Sequence, residues 1–353
     1  MDQARIGVIG AGWWATQHHM PSLVGYDRAE LTGIADVEAE KAKRAGEFYE
    51  VKDRFEDHRE LLASGIDGVV IAVQHAYHYQ VAKDALDAGV HVLVEKPMTL
   101  KASEAWDLVE RADRLGLHLM VGYTYQFTKH AEAARKIVQS GRIGELQFVS
   151  GIFTSMVESY LRGKPQEYAS EFNFPITGPS EDTYSDPTVA GGGQGVLQVT
   201  HPMGMVMRVT GLKATQVFAF MESFDLDVDL VDTFSYRLEN GAVGTMSSTG
   251  GVRPGQPSDQ RIIYFGTKGQ VRQDMINGRL DAHFHDGTTE EFTDLTKDEL
   301  YPAHATSRAL VDLILGDGDN RAPGEQGARV VEFLEAGYRS AETGAPVTVA
   351  KLH

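Results

Sequence analysis

Gly10-Ala11-Gly12-Trp13-Trp14-Ala15 follows the apolar run Ile6-Gly7-Val8-Ile9, a pattern that suits binding of a dinucleotide's phosphates. The first glycine permits a tight turn, the second lets backbone approach a pyrophosphate, and the small sixth residue lets a helix pack closely on its strand. The pyrophosphate would then meet the positive end of the helix that follows. Glycines also simply make turns, so Asp36 matters. It ends the next β-branched run near the offset at which a carboxylate accepts the ribose hydroxyls of NAD. An acid there repels a 2′-phosphate, and Val37 offers no guanidinium to bind one. NAD is therefore favoured over NADP, although Lys41, Lys43 and Arg44 follow closely. The plain alternative for Asp36 is a solvated helix cap. Trp13 and Trp14 would cover the cofactor or substrate, or pack beneath the loop.

A second set of reactive side chains lies further along. Val92-Leu93-Val94-Glu95-Lys96-Pro97 places a lysine at the end of an apolar run, and open α/β sheets bind ligands at the carboxyl ends of their strands. The alternative is a lysine reaching solvent. Oxidising a secondary alcohol needs a base within hydrogen-bond reach of the hydroxyl, and Lys96 or His201 would supply it. Lysine would need its ordinary pKa of about 10.4 lowered by burial or by a neighbouring positive charge; histidine titrates near neutrality as it stands. Tyr125 and Tyr160 offer hydroxyls and aromatic faces to a ring-shaped substrate, or else belong to the core. His283 and His285 alternate along a predicted strand without a third ligand, so no metal is assigned. The acidic stretches Asp225 to Asp229 and Asp294 to Glu299 read as solvated faces.

The elements that must position these groups change character along the chain. Strands are expected at Arg5 to Ile9, Ala29 to Asp36, Gly68 to Val73, His91 to Glu95 and His118 to Gly122. Helices are expected at Val37 to Tyr49, His78 to Ala88 and Ala102 to Leu115, the last capped by hydroxyls between Thr99 and Ser103. That alternation predicts a Rossmann-type, doubly wound parallel sheet over residues 1–123. Residues 124–353 predict a C-terminal α+β domain with a large open, mainly antiparallel sheet. Its strands are expected at Gln147 to Thr154, Thr215 to Met221, Asp232 to Leu238, Gly244 to Ser248, Gln260 to Gly266 and Arg279 to His285, and its helices at Ala131 to Ser140, His201 to Val209 and, finally, Thr306 to Leu315. The aperiodic stretch Gly163 to Gly195, with Pro165, Pro175, Pro179 and Pro187, reads as a binding loop.

Bulk properties narrow the function. The chain of 353 residues has a formal net charge of -17 and no cysteine. The charge argues against nucleic acid, whose binding needs clustered Lys and Arg, and the absence of cysteine excludes disulfides and a thiolate nucleophile. No apolar run is long enough for a membrane helix. Without a leader pattern before Ile6, the expected location is cytoplasmic.

In the order of its blocks the sequence resembles the Gfo/Idh/MocA family of glucose-fructose oxidoreductases, inositol dehydrogenases and their relatives. The resemblance rests on Gly10-Ala11-Gly12, Asp67 to His78, Ala88 to Val92, Glu95-Lys96-Pro97, Val121 to Phe127, Ser140 to Glu145, Gly191-Gly192-Gly193 and His201. It implies a substrate that is a sugar, glycoside, inositol or related polyol, and assembly as a homodimer or homotetramer. It also implies that Lys96 is catalytic and meets both cofactor and substrate, that Glu95 touches the cofactor, and that Val73, Gln74, His75 and His78 border it. Relatives usually carry Thr-Pro-Asn where this chain has Val73-Gln74-His75. They also place an aspartate four residues before the helical histidine, where this chain has Leu197. His201 would then take the proton, with Lys96 orienting the hydroxyl. Gln194 or Gln198 would bind substrate, since an amide cannot act as a carboxylate base.

Three functions follow. The first is an NAD-dependent dehydrogenase oxidising or reducing a secondary carbinol. The second is a glycoside hydrolase or epimerase-like enzyme that keeps NAD bound and oxidises transiently. The third is a non-catalytic NAD-binding regulator, which Leu197 permits and Lys96 with His201 argue against.

Overall fold

A computed structural model describes residues 2–349 other than 173, 175 and 177; Pro175 of the expected loop thus lies outside the described residues. The chain divides into two compact units, each described by itself. The first comprises the residues up to Tyr123 together with Lys164–Thr183 and Ala303–Ala328; the second comprises Thr124–Gly163, Tyr184–Pro302 and the residues from Arg329 onward. The expected boundary after residue 123 coincides with a change of unit, but residues 124–353 are not one continuous body.

In the first unit, β1 (Ala4–Ile9), β2 (Ala29–Ala35), β3 (Asp53–Phe55), β4 (Gly68–Ile71), β5 (His91–Val94) and β6 (Leu119–Val121) form a sheet in the order β3-β2-β1-β4-β5-β6. Every neighbouring pair is parallel. β4 is buried throughout and β5 nearly so, which is why both read as continuous apolar runs and not as alternating ones. A parallel sheet needs cover on both faces. The helix Ala305–Ile314 returns to provide part of it, packing on β1, β4 and β5 and burying Thr306, Ser307, Leu310 and Val311. The helix Ala102–Leu115 ends at Gly116, whose φ of 66° suits glycine. Its start differs from the expected hydroxyl cap. Lys101 occupies the cap without a side-chain bond, and Thr99 instead donates to the Lys101 carbonyl at 2.8 Å.

The second unit is built on β7 (Leu146–Thr154), β8 (Ala214–Glu222), β9 (Val231–Leu238), β10 (Val243–Thr249), β11 (Gln260–Gly266), β12 (Gly269–Asp274), β13 (Arg279–Phe284), β14 (Thr289–Glu291) and β15 (Val347–Thr348). Their order is β14-β13-β12-β11-β7-β10-β9-β8-β15. All neighbours are antiparallel except β7 and β10. Burial alternates along β9, with Asp232, Phe234, Tyr236 and Leu238 inward, so one face of the sheet carries the core. The helices Lys129–Gln139 and Thr200–Thr210 pack against each other, and both also contact strands of this sheet.

The longest helix, Gly324–Thr343, is absent from the sequence reading. Its glycines disguise it, since glycine disfavours a helix interior by up to about 1 kcal/mol relative to alanine. They are packing residues here: a Cβ at Gly327 would press on Val121 and Met98 in the first unit, and one at Gly337 would press on Phe234 in the second. Among the described residues no helix is long and apolar enough to cross a membrane.

Candidate functional site

The turn after β1 is shaped by two glycines with different tasks. Gly10 has a φ of 95°, and a Cβ there would lie 2.5 Å from the Ala72 carbonyl oxygen; its N–H donates to the Ala35 carbonyl at 2.8 Å. A Cβ at Gly12 would meet nothing within 4 Å. Open space therefore borders the backbone where a phosphate group would approach. Asp36 closes the arrangement. Its Oδ2 accepts the Ala11 N–H at 2.7 Å and its Oδ1 the Glu38 N–H at 2.8 Å, which leaves each oxygen a second lone pair for a ribose hydroxyl. The chain continues as a π-helical turn, Ala15–His19, before the short helix Met20–Val24. Such wide turns are frequent at functional sites.

Glu95 and Lys96 follow β5. Glu95 is buried, and its Oε1 accepts the Trp14 indole N–H at 2.9 Å and lies 2.9 Å from His19 Nε2, while Oε2 accepts the Lys96 backbone N–H at 3.1 Å. Gly122 leaves the room, for a Cβ there would collide with the carboxylate. Burial works against this charge, but the His19 hydrogen bond, the positive charge of Lys96 and the Lys96 N–H hold the acid below the ordinary glutamate range. Lys96 is partly exposed as a residue, yet desolvation of its ammonium lowers its pKa to about 8, against the opposing pull of Glu95. This is the downward shift that a lysine base requires.

The other expected cofactor residues take protein partners. His78 is buried, with Nδ1 2.7 Å from the Pro97 carbonyl and Nε2 3.0 Å from that of Val73. Burial lowers its pKa against the pull of both carbonyls, and the ring sits between the end of β4 and the segment after β5, donating to one of them when neutral. His75 is buried against it, with ring centroids 5.5 Å apart. Gln74 makes a long contact of 3.5 Å to Thr183. Part of the expected binding loop lies on this unit as well. Gln17 donates to the Phe172 carbonyl at 2.7 Å, Arg44 to the Ile176 carbonyl at 2.7 Å, and Trp13 meets the rings of Phe172 and Phe174 edge-on. Arg44, a candidate partner for a 2′-phosphate, thus has one of its donors on that segment.

In the second unit His201 is buried in the first turn of Thr200–Thr210, stacked on Phe153 and edge-on to Tyr125. Tyr125 donates its hydroxyl to Gln260 at 3.0 Å, and burial raises its pKa. Leu197 and Gln198 lie in the π-helical turn Gly195–Val199, with Leu197 buried and Gln198 partly exposed. The wide turn alters the three- and four-residue spacings on which a shared α-helical face depends. Gln194 differs from its expected role: it is fully buried, its Oε1 accepting from Ser155 at 2.9 Å and its Nε2 donating to Ser248 at 2.7 Å. Each end of its amide has a partner inside the protein.

Two groups escaped the sequence reading. His19 carries no motif signal of its own. Asp229 belongs to a stretch read as solvated, yet it is buried; its Oδ1 accepts from Gly193 N and the Tyr338 hydroxyl, and its Oδ2 from Gly195 N, each at 2.7 Å. The glycine run was visible, but not the acid that holds it. Asp225 of the same stretch is an exposed partner of Arg162. Among the described residues no cluster of three or more His, Asp or Glu could hold a metal ion.

Comparison with known proteins bears on family and fold. Residues 4–123 match the profile described as an oxidoreductase family with an NAD-binding Rossmann fold, and residues 131–272 match the GFO/IDH/MocA C-terminal domain. The uncharacterized oxidoreductase YdgJ of Escherichia coli K12 is 26% identical over 99% of both chains. Inositol 2-dehydrogenase of Corynebacterium glutamicum is 28% identical over 72% of this chain and 74% of its own. A levoglucosan dehydrogenase solved with NADH and levoglucosan shares the fold, with a TM-score of 0.80 at 20% identity over 99% of this chain and all of that one. With an open-backed glycine turn braced by Asp36 and both domain profiles in sequence, this chain belongs to the Gfo/Idh/MocA family of NAD-binding oxidoreductases.

Proposed function

We propose that the protein is an NAD-dependent dehydrogenase that oxidises, or in reverse reduces, a secondary carbinol of a sugar, glycoside or inositol. The feature that carries this reading is Lys96 at the end of β5, its backbone N–H held by the buried Glu95 carboxylate and its ammonium desolvated enough to lower the pKa to about 8. Bound NAD supplies the hydride acceptor. Lys96 as the free amine takes the hydroxyl proton, and His201 hydrogen-bonds the substrate oxygen. The sequence alone favours His201 for the proton; the lowered Lys96 pKa is what supports giving the proton to the lysine instead. Gln198 and the face of Tyr125 are assigned to substrate. Gly10, Ala11, Gly12, Trp14, Asp36 and Glu95 are assigned to cofactor, with Val73, Gln74 and His75 at its nicotinamide end. The substrate class is supported by the inositol and levoglucosan dehydrogenases among the similar proteins. Work as a cytoplasmic homodimer or homotetramer completes the proposal.

A second reading, in which NAD is retained and oxidation is transient, is favoured by the segment Lys164–Thr183 packing on Trp13, Gln17 and Arg44. A panel of polyols, sugars and glycosides separates the two. Accumulating NADH supports the dehydrogenase, whereas glycoside cleavage without NADH supports the retained cofactor.

A further inference from the structure

The carboxylate of Glu95 sits in a chamber assembled from three parts of the first unit. Trp14 and His19 come from the segment after β1, Glu95 with the Lys96 backbone from the end of β5, and Gly122 from the end of β6. An ionised carboxylate this buried is expensive unless donors surround it. His19, at 1% exposure, serves that acid with Nε2 and turns no part of its ring to solvent.

The other titratable groups facing this chamber are few. His18, on the same turn, is driven to a pKa of about 4 by burial, with His19 adding to the effect. His78, on the helix packed below, is lowered by burial. Burial works against a positive charge on either ring. Glu95 is therefore the negative charge that opposes desolvation of the Lys96 ammonium.

We propose that His19 is a positioning residue: with Trp14 it keeps Glu95 charged and in place, and through Glu95 it sets the charge state of Lys96. A leucine at position 19 removes one of three donors, so the buried Glu95 takes up a proton, and Lys96 loses the charge that favours its ammonium form. The Lys96 amine then becomes free at lower pH. The proposal builds on the reading of Lys96 as the proton-handling group, but its test does not depend on turnover.

The test follows the rate at which an amine-directed acylating reagent labels Lys96 as pH is varied. The cofactor-free full chain is used, and the Lys96 peptide is quantified by mass spectrometry. His19→Leu and Glu95→Gln should each move the labelling midpoint down by about one pH unit or more, the scale of losing one nearby charge. His19→Gln retains an N–H donor and should keep the wild-type midpoint. Should His19→Leu fail to fold, as judged by circular dichroism, the other two variants decide. An unmoved midpoint in Glu95→Gln, or a His19→Gln midpoint displaced like that of Glu95→Gln, overturns the proposal. If the midpoints behave as expected while Lys96→Ala retains full turnover, the catalytic reading fails and the role of His19 stands.

Discussion

The Asp36 carboxylate accepts the backbone N–H of Ala11 at 2.7 Å across 25 residues of sequence. One side chain thus joins the end of β2 to the glycine turn after β1. The acid expected to read the ribose also fixes the loop expected to hold the phosphates.

Asp36→Ala should therefore do two things. NAD affinity falls by roughly tenfold or more, and the preference over NADP narrows, because a charge-assisted acceptor and a repulsive neighbour of the 2′-phosphate are both lost. Stability falls by about 1–2 kcal/mol, because the Ala11 N–H loses its partner. Titration with both cofactors and denaturant unfolding check the two effects separately. An unchanged cofactor preference would remove Asp36 from the ribose site.

Lys96 gives oxidation a defined pH dependence. The proton-accepting form is the neutral amine, so its fraction rises with pH and is half complete at about 8. Turnover at saturating substrate, where chemistry limits it, should climb through that pH and level off above it. A profile that is flat between pH 7 and 9 contradicts the assignment.

His201→Asn preserves a hydrogen-bonding side chain of smaller size. Because His201 is assigned to the substrate oxygen, this change should cost about ten- to a hundredfold in kcat/KM and leave the Lys96 limb in place. If the limb disappears with the histidine, the two residues have exchanged roles.

Much of this was legible in residue patterns. β11 and the helix Ala102–Leu115 fall on their expected bounds, since a short run of β-branched and aromatic residues ended by glycine and a strongly amphipathic stretch each leave one structural solution. The three-residue strand β3 was not legible, because Asp53 and Arg54 on a sheet edge leave no apolar pattern. Nor was β12, where Val271 is the lone large apolar residue. At the site, Gly10, Gly12, Asp36 and Lys96 declare themselves by type and offset. His19 and Asp229 do not, because their partners lie 76 and 36 residues away in sequence and only folding brings the pairs together.

The acids behind the glycine run give a stability prediction. Asp232 is buried beside Asp229, and burial first, then that neighbouring charge, raise its pKa well above the carboxylate range. The folded chain thus holds a proton that the unfolded chain releases. The Asp232 contribution to stability is full below the ordinary aspartate value of about 3.9 and is lost as pH rises through the raised folded value. Asp232→Asn removes this dependence, so it should be more stable than wild type at pH 8 and show a flatter pH profile. Asp229→Ala should cost about 2–4 kcal/mol at any neutral pH, because three buried donors lose their acceptor. Thermal unfolding between pH 5 and 9 checks both.

The most direct test of the account is NADH absorbance followed in parallel for wild type and Lys96→Ala against a panel of inositols, aldoses and glycosides. The account predicts NADH formation by wild type with at least one of them. With that same compound the variant should be slower by roughly two to four orders of magnitude, with NAD binding intact. Wild-type turnover in Lys96→Ala, or cleavage of a glycoside by wild type with no NADH from any compound, would contradict it.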